Sequence, residues 1–391
     1  MLTKIYLKRN EERRILSGHL WVFSNEIGKV EGEAENGELV EVFDSRDKLL
    51  GSGFYNKNSL ISVRLLSRTN ITDLPSLVKE KILAAYGLRR IIYPERKSYR
   101  LVFSESDFLP GLIIDKYNNT FVLQVYSFGM QKNTETIVEI LKKELNAENI
   151  FSKNESYFRK LEGLSEEDEI YLGGIKEEII DDGKLKYKID FTGQKTGFYF
   201  DQSDNRFLIE RFCKGKNVLD AFCNSGGFGL HASSAEASSV TFVDSSAKAI
   251  EDAKLNFELD NLKSKSEFVI SDVFDYLNKC KEENKKFDVV ILDPPAFAKS
   301  KKSLPTAIKG YEKLNRLAMN ILNENGFLVA SSCSHHVSED NFLELIKKAS
   351  IKAGKSLQLV DYNGASLDHP VLPAMPETSY LKFGVFKVHN A

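Results

Sequence analysis

Five residues hold the same place in a repeating pattern. Asp220, Asp244, Asp272, Asp293 and Cys333 each close or follow a short apolar run of strand character. The runs are NVLDAF (217–222), SVTFVD (239–244), SEFVIS (266–271), FDVVILD (287–293) and GFLVASS (326–332). Where such strands lie parallel in an open sheet, their carboxyl ends form the crevice in which ligands bind. Four carboxyl groups and one thiol would then converge on a single pocket. Carboxylates there can hold a cation, ribose hydroxyls or the amino edge of a base. A thiol, once ionised, can attack carbon.

The turn after Asp220 reads AFCNSGGFG. Gly226 and Gly227 let the backbone pass close to a ligand with no Cβ in the way; a tight packing turn is the plainer explanation. Asp244 lies 24 residues beyond Asp220, the place of a residue that accepts from ribose hydroxyls. A nicotinamide dinucleotide site would carry GxGxxG here, with its pyrophosphate on the helix N-terminus. This chain has a carboxylate at the strand end instead, which suits a ligand bearing a cationic amino-acid group, as S-adenosylmethionine does. Asp272 is placed to accept from an adenine amino group, to cap the helix of VFDYLNKC, or to do both. In Asp293-Pro294-Pro295-Ala296-Phe297, two prolines stiffen the backbone directly after a strand. Asp293 would accept from an exocyclic amino group and Phe297 would stack on a planar base; a proline stop is the plain alternative.

Cys333 sits in SSCSHH at the mouth of the expected crevice. Free cysteines are most often small buried hydrophobes, and Cys213, Cys223 and Cys280 keep that reading. Cys333 is the candidate nucleophile. His335 and His336 adjoin it and are assigned no role.

These residues need a scaffold. From about residue 190 strand and helix patterns alternate, which means a parallel, doubly wound sheet. The helix at 245–261 is expected to turn Ala249, Ile250, Ala253, Leu255 and Phe257 largely inward. Two further runs, SLQLVDY and YLKFGVFKV, close the chain. Pro370, Pro373 and Pro376 between them prevent a crossover helix, so the last strand should run antiparallel to the rest. Upstream, residues 1–68 read as short strands punctuated by glycines. A helix at 73–93 follows, with Leu77, Ile82, Leu83, Tyr86 and Ile91 at helical spacing. Strand runs and a second helix, Thr134 to Leu145, complete a mixed α/β middle part.

The 391 residues are 42% hydrophobic and 28% charged, with a net charge of −2. That composition is globular, and any nucleic-acid affinity must come from a local patch. Lys4, Lys8, Arg9, Arg13 and Arg14 are the candidates, diluted by Glu11 and Glu12. The cysteines form no CxxC, which argues against a disulfide framework and a zinc site. No apolar run reaches the roughly 18 residues that span a bilayer. The stretch MLTKIYLKRNEERR has no apolar core, so no signal peptide and a cytoplasmic location are expected.

GQKTGFYFDQSDNR (193–206), DAFCNSGGFG, FVDSS, DPPAF and SCS occur in that order, with GHLWVFSNEI (18–27), DFLPGLIIDKY (107–117) and HPVLPAMPETSYLK (369–382) around them. Together they resemble the RlmI-type family of PUA-containing class I methyltransferases, over essentially the whole chain. The resemblance implies an α/β fold: a PUA-like RNA-binding domain at 1–70, a small middle α/β domain at 71–187 and a Rossmann-like methyltransferase domain at 188–391. It implies S-adenosylmethionine as cofactor and formation of 5-methylcytosine in large-subunit ribosomal RNA. Asp220, Phe222, Gly226 and Gly227 fall on its cofactor loop, Asp244 on the ribose position and Asp272 on the adenine position. Asp293 falls on the target-base position beside Pro294 and Phe297, and Cys333 on the nucleophile. Gln194, Asp201, Asn205 and Arg206 fall in a segment that packs over the pocket, with Gln194 and Arg206 assigned to the substrate. Ala296 departs from members that carry Lys there, which leaves the substrate's identity more open. The resemblance implies RNA as the partner, with a homodimer compatible.

Three other functions fit parts of the pattern. One is methylation of a guanine or adenine nitrogen, which needs no thiol and would use DPPAF equally well. Another is a non-catalytic RNA-binding assembly factor, against which the full set of strand-end residues argues. The last is a nicotinamide oxidoreductase, disfavoured by the missing GxGxxG.

Overall fold

The computed structural model describes residues 2–175, 177–191, 197–298 and 300–390. Two compact units divide the chain. The first comprises Met1–Gly183, Ile189–Phe200 and Asp368–Thr378, and the second Lys184–Lys188, Asp201–Leu367 and Ser379–Ala391.

The first unit contains two sheets. One is built from β1 (Thr3–Leu7), β2 (Trp21–Phe23), β3 (Ile27–Glu31), β4 (Leu39–Phe43), β5 (Leu49–Tyr55) and β6 (Ile61–Ser67), in the order β2-β6-β5-β4-β1-β3. A short helix, α1 (Glu12–Leu16), buries Ile15 against it. Burial alternates along β1, with Thr3, Ile5 and Leu7 buried. Helix α2 (Leu74–Ile92) leads to the second sheet, capped by Asp73, whose carboxylate accepts from the Ser76 N–H. That sheet comprises β7 (Tyr99–Phe103), β8 (Leu112–Tyr117) and β9 (Thr120–Val125), then β10 (Asn149–Ser152) and β11 (Ile170–Leu172). Helices α3 (Phe128–Lys132) and α4 (Thr134–Leu145) precede β10, and α5 (Ser156–Glu162) precedes β11. Phe54 and Leu66 of the first sheet belong to the core of the second. Gly129 in α3 is required there, because a Cβ would stand 1.9 Å from the Phe54 ring.

The buried stripe of α2 differs from the expected one. Val78, Ile82, Ala85 and Arg89 are buried, whereas Ile91 is 80% exposed. Arg89 can replace an apolar residue because its donors are satisfied. It pairs with both Asp107 oxygens and donates to the Asp368 and Arg100 carbonyls. Asp368 in turn accepts from the Arg100 N–H and meets His369 Nδ1 at 2.7 Å. A buried charge network thus fixes the Asp368–Thr378 segment, whose prolines admit only a short 3₁₀ turn.

Two short strands follow, β12 (Glu178–Asp181) and β13 (Lys186–Ile189). The second unit then opens with α6 (Ser203–Ile209) and alternates strand and helix. The succession is β14 (Asn217–Ala221), α7 (Gly227–Ser234), β15 (Ser239–Asp244), α8 (Ala247–Leu259), β16 (Lys265–Ile270), α9 (Val273–Glu282) and β17 (Phe287–Leu292). Helix α10 (Leu304–Asn320), β18 (Leu322–Ser332), α11 (Glu339–Ala353), β19 (Lys355–Asn363) and β20 (Lys382–Asn390) complete it. The seven strands lie in the order β16-β15-β14-β17-β18-β20-β19. β14 to β18 are parallel, and β20 runs antiparallel to both of its neighbours, as the proline-rich connection predicted. This is the Rossmann-like class I methyltransferase arrangement. On α8 the expected inward set holds for Ile250, Ala253 and Phe257, but Leu255 is 41% exposed. Asn256 is buried in its stead, donating to the Ser225 carbonyl and accepting from the Lys188 N–H.

Candidate active site

The carboxyl ends of β14, β15, β17 and β18 adjoin in the second unit, and the strand-end residues gather there. Asp220 is 1% exposed. Its Oδ2 accepts from the Gly229 N–H at 2.7 Å, while Oδ1 is buried with no hydrogen-bond partner among the described residues. Burial, with Asp293 and Asp244 nearby, pushes its carboxyl up to about 7 against the pull of Gly229 and Arg206.

The loop that follows is tightly wound. Phe222 (φ 63), Asn224 (φ 48) and Gly226 (φ 89) all lie in the left-handed region. The Asp244 carboxylate holds this loop by accepting from the Asn224 N–H (3.0 Å) and the Ser246 N–H (2.9 Å). The two glycines make room for protein: a Cβ on Gly226 would meet Ala253 at 3.1 Å, and one on Gly227 the Arg206 Nε at 2.5 Å. The packing explanation therefore accounts for both, with the positive φ an added demand at Gly226. Asp272 is exposed and caps α9, accepting at Oδ1 from the N–H groups of Phe274 (2.8 Å) and Asp275 (3.2 Å).

Asp293 follows β17 directly, half-buried. Its Oδ1 takes two donors, Gln202 Nε2 at 2.8 Å and the Ser331 hydroxyl. Gln202 is itself oriented by Asn205, whose Nδ2 donates to Gln202 Oε1 at 2.7 Å. Burial pushes the Asp293 carboxyl up to about 6, with Asp201 adding to the rise and Ser331, Gln202 and Arg206 opposing it. Pro294 is buried and Pro295 exposed. Phe297 stacks on Tyr311, with centroids 4.5 Å apart. The Tyr311 hydroxyl accepts from the Phe297 N–H (3.3 Å) and bonds the Ser334 hydroxyl (2.9 Å). Tyr311 and Ser334 together clamp the DPPAF loop.

Cys333 follows β18 on the neighbouring parallel strand. Its Sγ lies 3.9 Å from the Pro294 carbonyl. Of the four cysteines, Cys213, Cys223 and Cys280 are buried and Cys333 is half-buried. Its thiol is pushed up to about 12, first by burial and then by Asp293 and Asp201. Asp201 accepts from the Tyr380 hydroxyl at 2.7 Å, and its Oδ1 is buried without a partner among the described residues.

Asp220, Phe222, Gly226, Gly227, Asp244, Asp293, Pro294, Cys333 and Arg206 are thus brought to one end of the sheet, while Asp272 caps a helix beyond β16. Gln194 lies outside the described residues. Sequence reasoning missed Gln202, Ser331, Tyr311, Ser334 and Lys382. Gln202 stood inside the FDQSDNR run and the two serines flanked Cys333, so those three carried a signal. Lys382 closed the HPVLPAMPETSYLK run, and Tyr311 carried no signal.

In the first unit the basic N-terminal stripe is partly spent. Arg14 pairs with Glu26 at 2.6 Å, Lys8 donates to the Asn25 carbonyl, and Lys4 lies over the Phe43 ring. Arg9 is exposed. No helix among the described residues is long and apolar enough to cross a membrane.

Known proteins share this architecture. Residues 5–68 match the family described as PUA-like domain, and residues 201–360 match conserved hypothetical protein 95. A chain from Streptococcus mutans superposes with a TM-score of 0.84 over 99% of this chain and 100% of its own, at 21% identity. The ribosomal RNA large subunit methyltransferase I of Photobacterium profundum is 37% identical over 98% of each chain. That of Pseudoalteromonas atlantica is 37% identical over 99% of this chain and 100% of its own. With more than a third of its residues shared from end to end, the chain belongs to the ribosomal RNA large subunit methyltransferase I family.

Proposed function

We propose that this enzyme methylates cytosine C5 in large-subunit ribosomal RNA, through a transient covalent bond to Cys333. The enzyme class and the cofactor, S-adenosylmethionine, come with the family. The residues at the sheet end fit that cofactor. Asp220 keeps a buried oxygen with no partner among the described residues, as a cationic amino group requires, and Asp244 keeps lone pairs for ribose hydroxyls. When bound, the cofactor supplies an electrophilic methyl group.

The observation that carries the cytosine reading is the thiol of Cys333 set against the Asp293-Pro294 loop. Cytosine C5 is a poor nucleophile. Addition of the Cys333 thiolate to C6 makes the ring enamine-like and lets C5 take a methyl group. Loss of the C5 proton and elimination of the thiolate restore the aromatic ring. Asp293 accepts from the N4 amino group. With its carboxyl near neutrality, it can share a proton with N3 as negative charge builds in the ring. Gln202 and Ser331 fix its Oδ1 and so its orientation. Phe297, already stacked on Tyr311, acts through the rigidity of the loop. Extruding the base from structured RNA costs a few kcal/mol, supplied by phosphate contacts. We assign these to the PUA-like part (1–70) and the middle part (71–187), with methyl transfer in 188–391, in the cytoplasm where ribosomes are made.

RNA carrying 5-fluorocytosine tests the reading, because fluorine at C5 blocks the final elimination. Wild type should form a denaturation-resistant adduct and Cys333→Ala none, while both bind S-adenosylhomocysteine. If Cys333→Ala turns over normally, nitrogen methylation of a guanine or adenine replaces this reading. The rise of the Cys333 thiol to about 12 favours that second reading, since such chemistry needs no thiolate. Nucleoside mapping of large-subunit RNA from cells lacking the gene separates the two.

A further inference from the structure

A buried cation stands beside the Cys333 loop. Lys382 opens β20 and lies opposite Ser332 in the antiparallel ladder. It is 6% exposed. Its Nζ donates to the Ser334 carbonyl at 2.7 Å and to the Tyr380 carbonyl at 2.7 Å. Both acceptors are neutral, and an ammonium has a third N–H to place. A buried ammonium is costly without a counter-anion, yet among the described residues Lys382 forms no ion pair with a carboxylate. The residue that Ser334 adjoins is Cys333.

We propose that Lys382 is a positioning residue for Cys333: its ammonium pins the carbonyl of the next residue and is the counter-cation of the thiolate. This rests on the reading of Cys333 as the nucleophile. The groups that face the thiol divide by sign. Asp293 and Asp201 oppose its ionisation, and Lys382 favours it. Tyr311 adjoins the thiol, and burial and Lys382 both disfavour the charged form of the His335 ring two residues on. The relation is mutual. Burial lowers Lys382 to about 8, and ionised Cys333 is the group that favours its charged form. A lysine that merely tied β20 to the Cys333 loop would leave the thiol's titration untouched.

The test is the pH dependence of Cys333 alkylation by iodoacetamide, followed by peptide mapping in the full chain. The wild type is compared with Lys382→Met and Lys382→Arg, with S-adenosylhomocysteine binding as the check on the fold. Removing the charge should slow alkylation about tenfold or more at pH 8 and move the profile upward, as loss of a nearby opposite charge does. Arginine should restore the wild-type profile to within about twofold. Lys382→Gln, which keeps a donor for the Ser334 carbonyl but no charge, gives the same decision if the Met variant does not fold. An unchanged profile in the uncharged variant overturns the proposal. The 5-fluorocytosine adduct is read separately. An adduct with no shift sinks the pairing alone, and a shift with no adduct sinks the nucleophile alone.

Discussion

The carboxyl group of Asp293 opposes ionisation of the Cys333 thiol, one strand away across the β17–β18 pair. The residue assigned to the base therefore works against the residue assigned to attack it. Such antagonism suits a site that is to be inert until the base arrives. Once a cytosine amino group donates to Asp293, part of its charge is neutralised and the thiolate becomes less costly.

This relationship has a sign that can be measured. With the thiol raised to about 12, the thiolate fraction at neutral pH is very small and grows tenfold per pH unit. Asp293→Asn removes the opposing charge. Alkylation of Cys333 at pH 8 should become about three- to tenfold faster, while methyl transfer falls because asparagine cannot share a proton with N3. Slower alkylation in Asp293→Asn would contradict the coupling.

Gln202 links Asn205 to Asp293. Gln202→Leu removes a donor from a half-buried carboxylate and leaves Asn205 Nδ2 short of one acceptor. The cost should be about 1–3 kcal/mol, or roughly fivefold to 150-fold in kcat. The KM for the cofactor should hardly move, since Gln202 touches Asp293 and not the Asp220 loop. Steady-state kinetics with both substrates varied will check the split.

What was legible in the sequence, and what was not, follows from the range of the interactions. Strands β14, β15, β17 and the second half of β18 announce themselves because each is an apolar run buried in the sheet, and their polar ends stand out against it, whereas β16 is an exposed edge strand. The antiparallel course of β20 was legible from three prolines. Arg89 was not legible as core, since its donors are satisfied by the Asp107 carboxylate together with the Arg100 carbonyl and that of Asp368, 279 residues away in sequence. Gln202 depends likewise on Asp293 across 91 residues. Nor could spacing tell that Asn256, and not Leu255, faces inward on α8, because the acceptors and donors that satisfy Asn256 come from Ser225 and Lys188. Local pattern reveals which residues could be buried, and distant partners decide which polar ones are.

RNA affinity should reside in the charges the first unit leaves free. Deleting residues 1–68 would strip Phe54 and Leu66 from the core of the second sheet, so substitution is the sharper probe. Arg9→Glu should weaken RNA binding and reduce the salt slope by about one, the value of one phosphate contact. Arg14→Ala should act chiefly on the fold, by leaving the buried Glu26 without its cation. Binding titrations at several salt concentrations distinguish the two.

Asp220 yields a prediction on stability. Its carboxyl is raised from 3.8 in the unfolded chain to about 7 in the folded one, so the native state binds the proton more tightly. The stability this contributes is fully present below 3.8 and is lost as the pH rises to about 7, above which the folded protein carries a buried charge. Three pKa units correspond to an upper bound of about 4 kcal/mol. Asp220→Asn keeps an acceptor for the Gly229 N–H and carries no charge. The ligand-free variant should therefore unfold at a higher temperature than wild type at pH 8, with the difference shrinking towards pH 5. Binding of S-adenosylhomocysteine should change the order, because its amino group meets the carboxylate only in wild type. Melting curves at both pH values, with and without that ligand, check each arm. A wild type that melts higher than Asp220→Asn at pH 8 without ligand would show that the carboxylate is already compensated within the chain, and that Asp220 is not held in readiness for a cation.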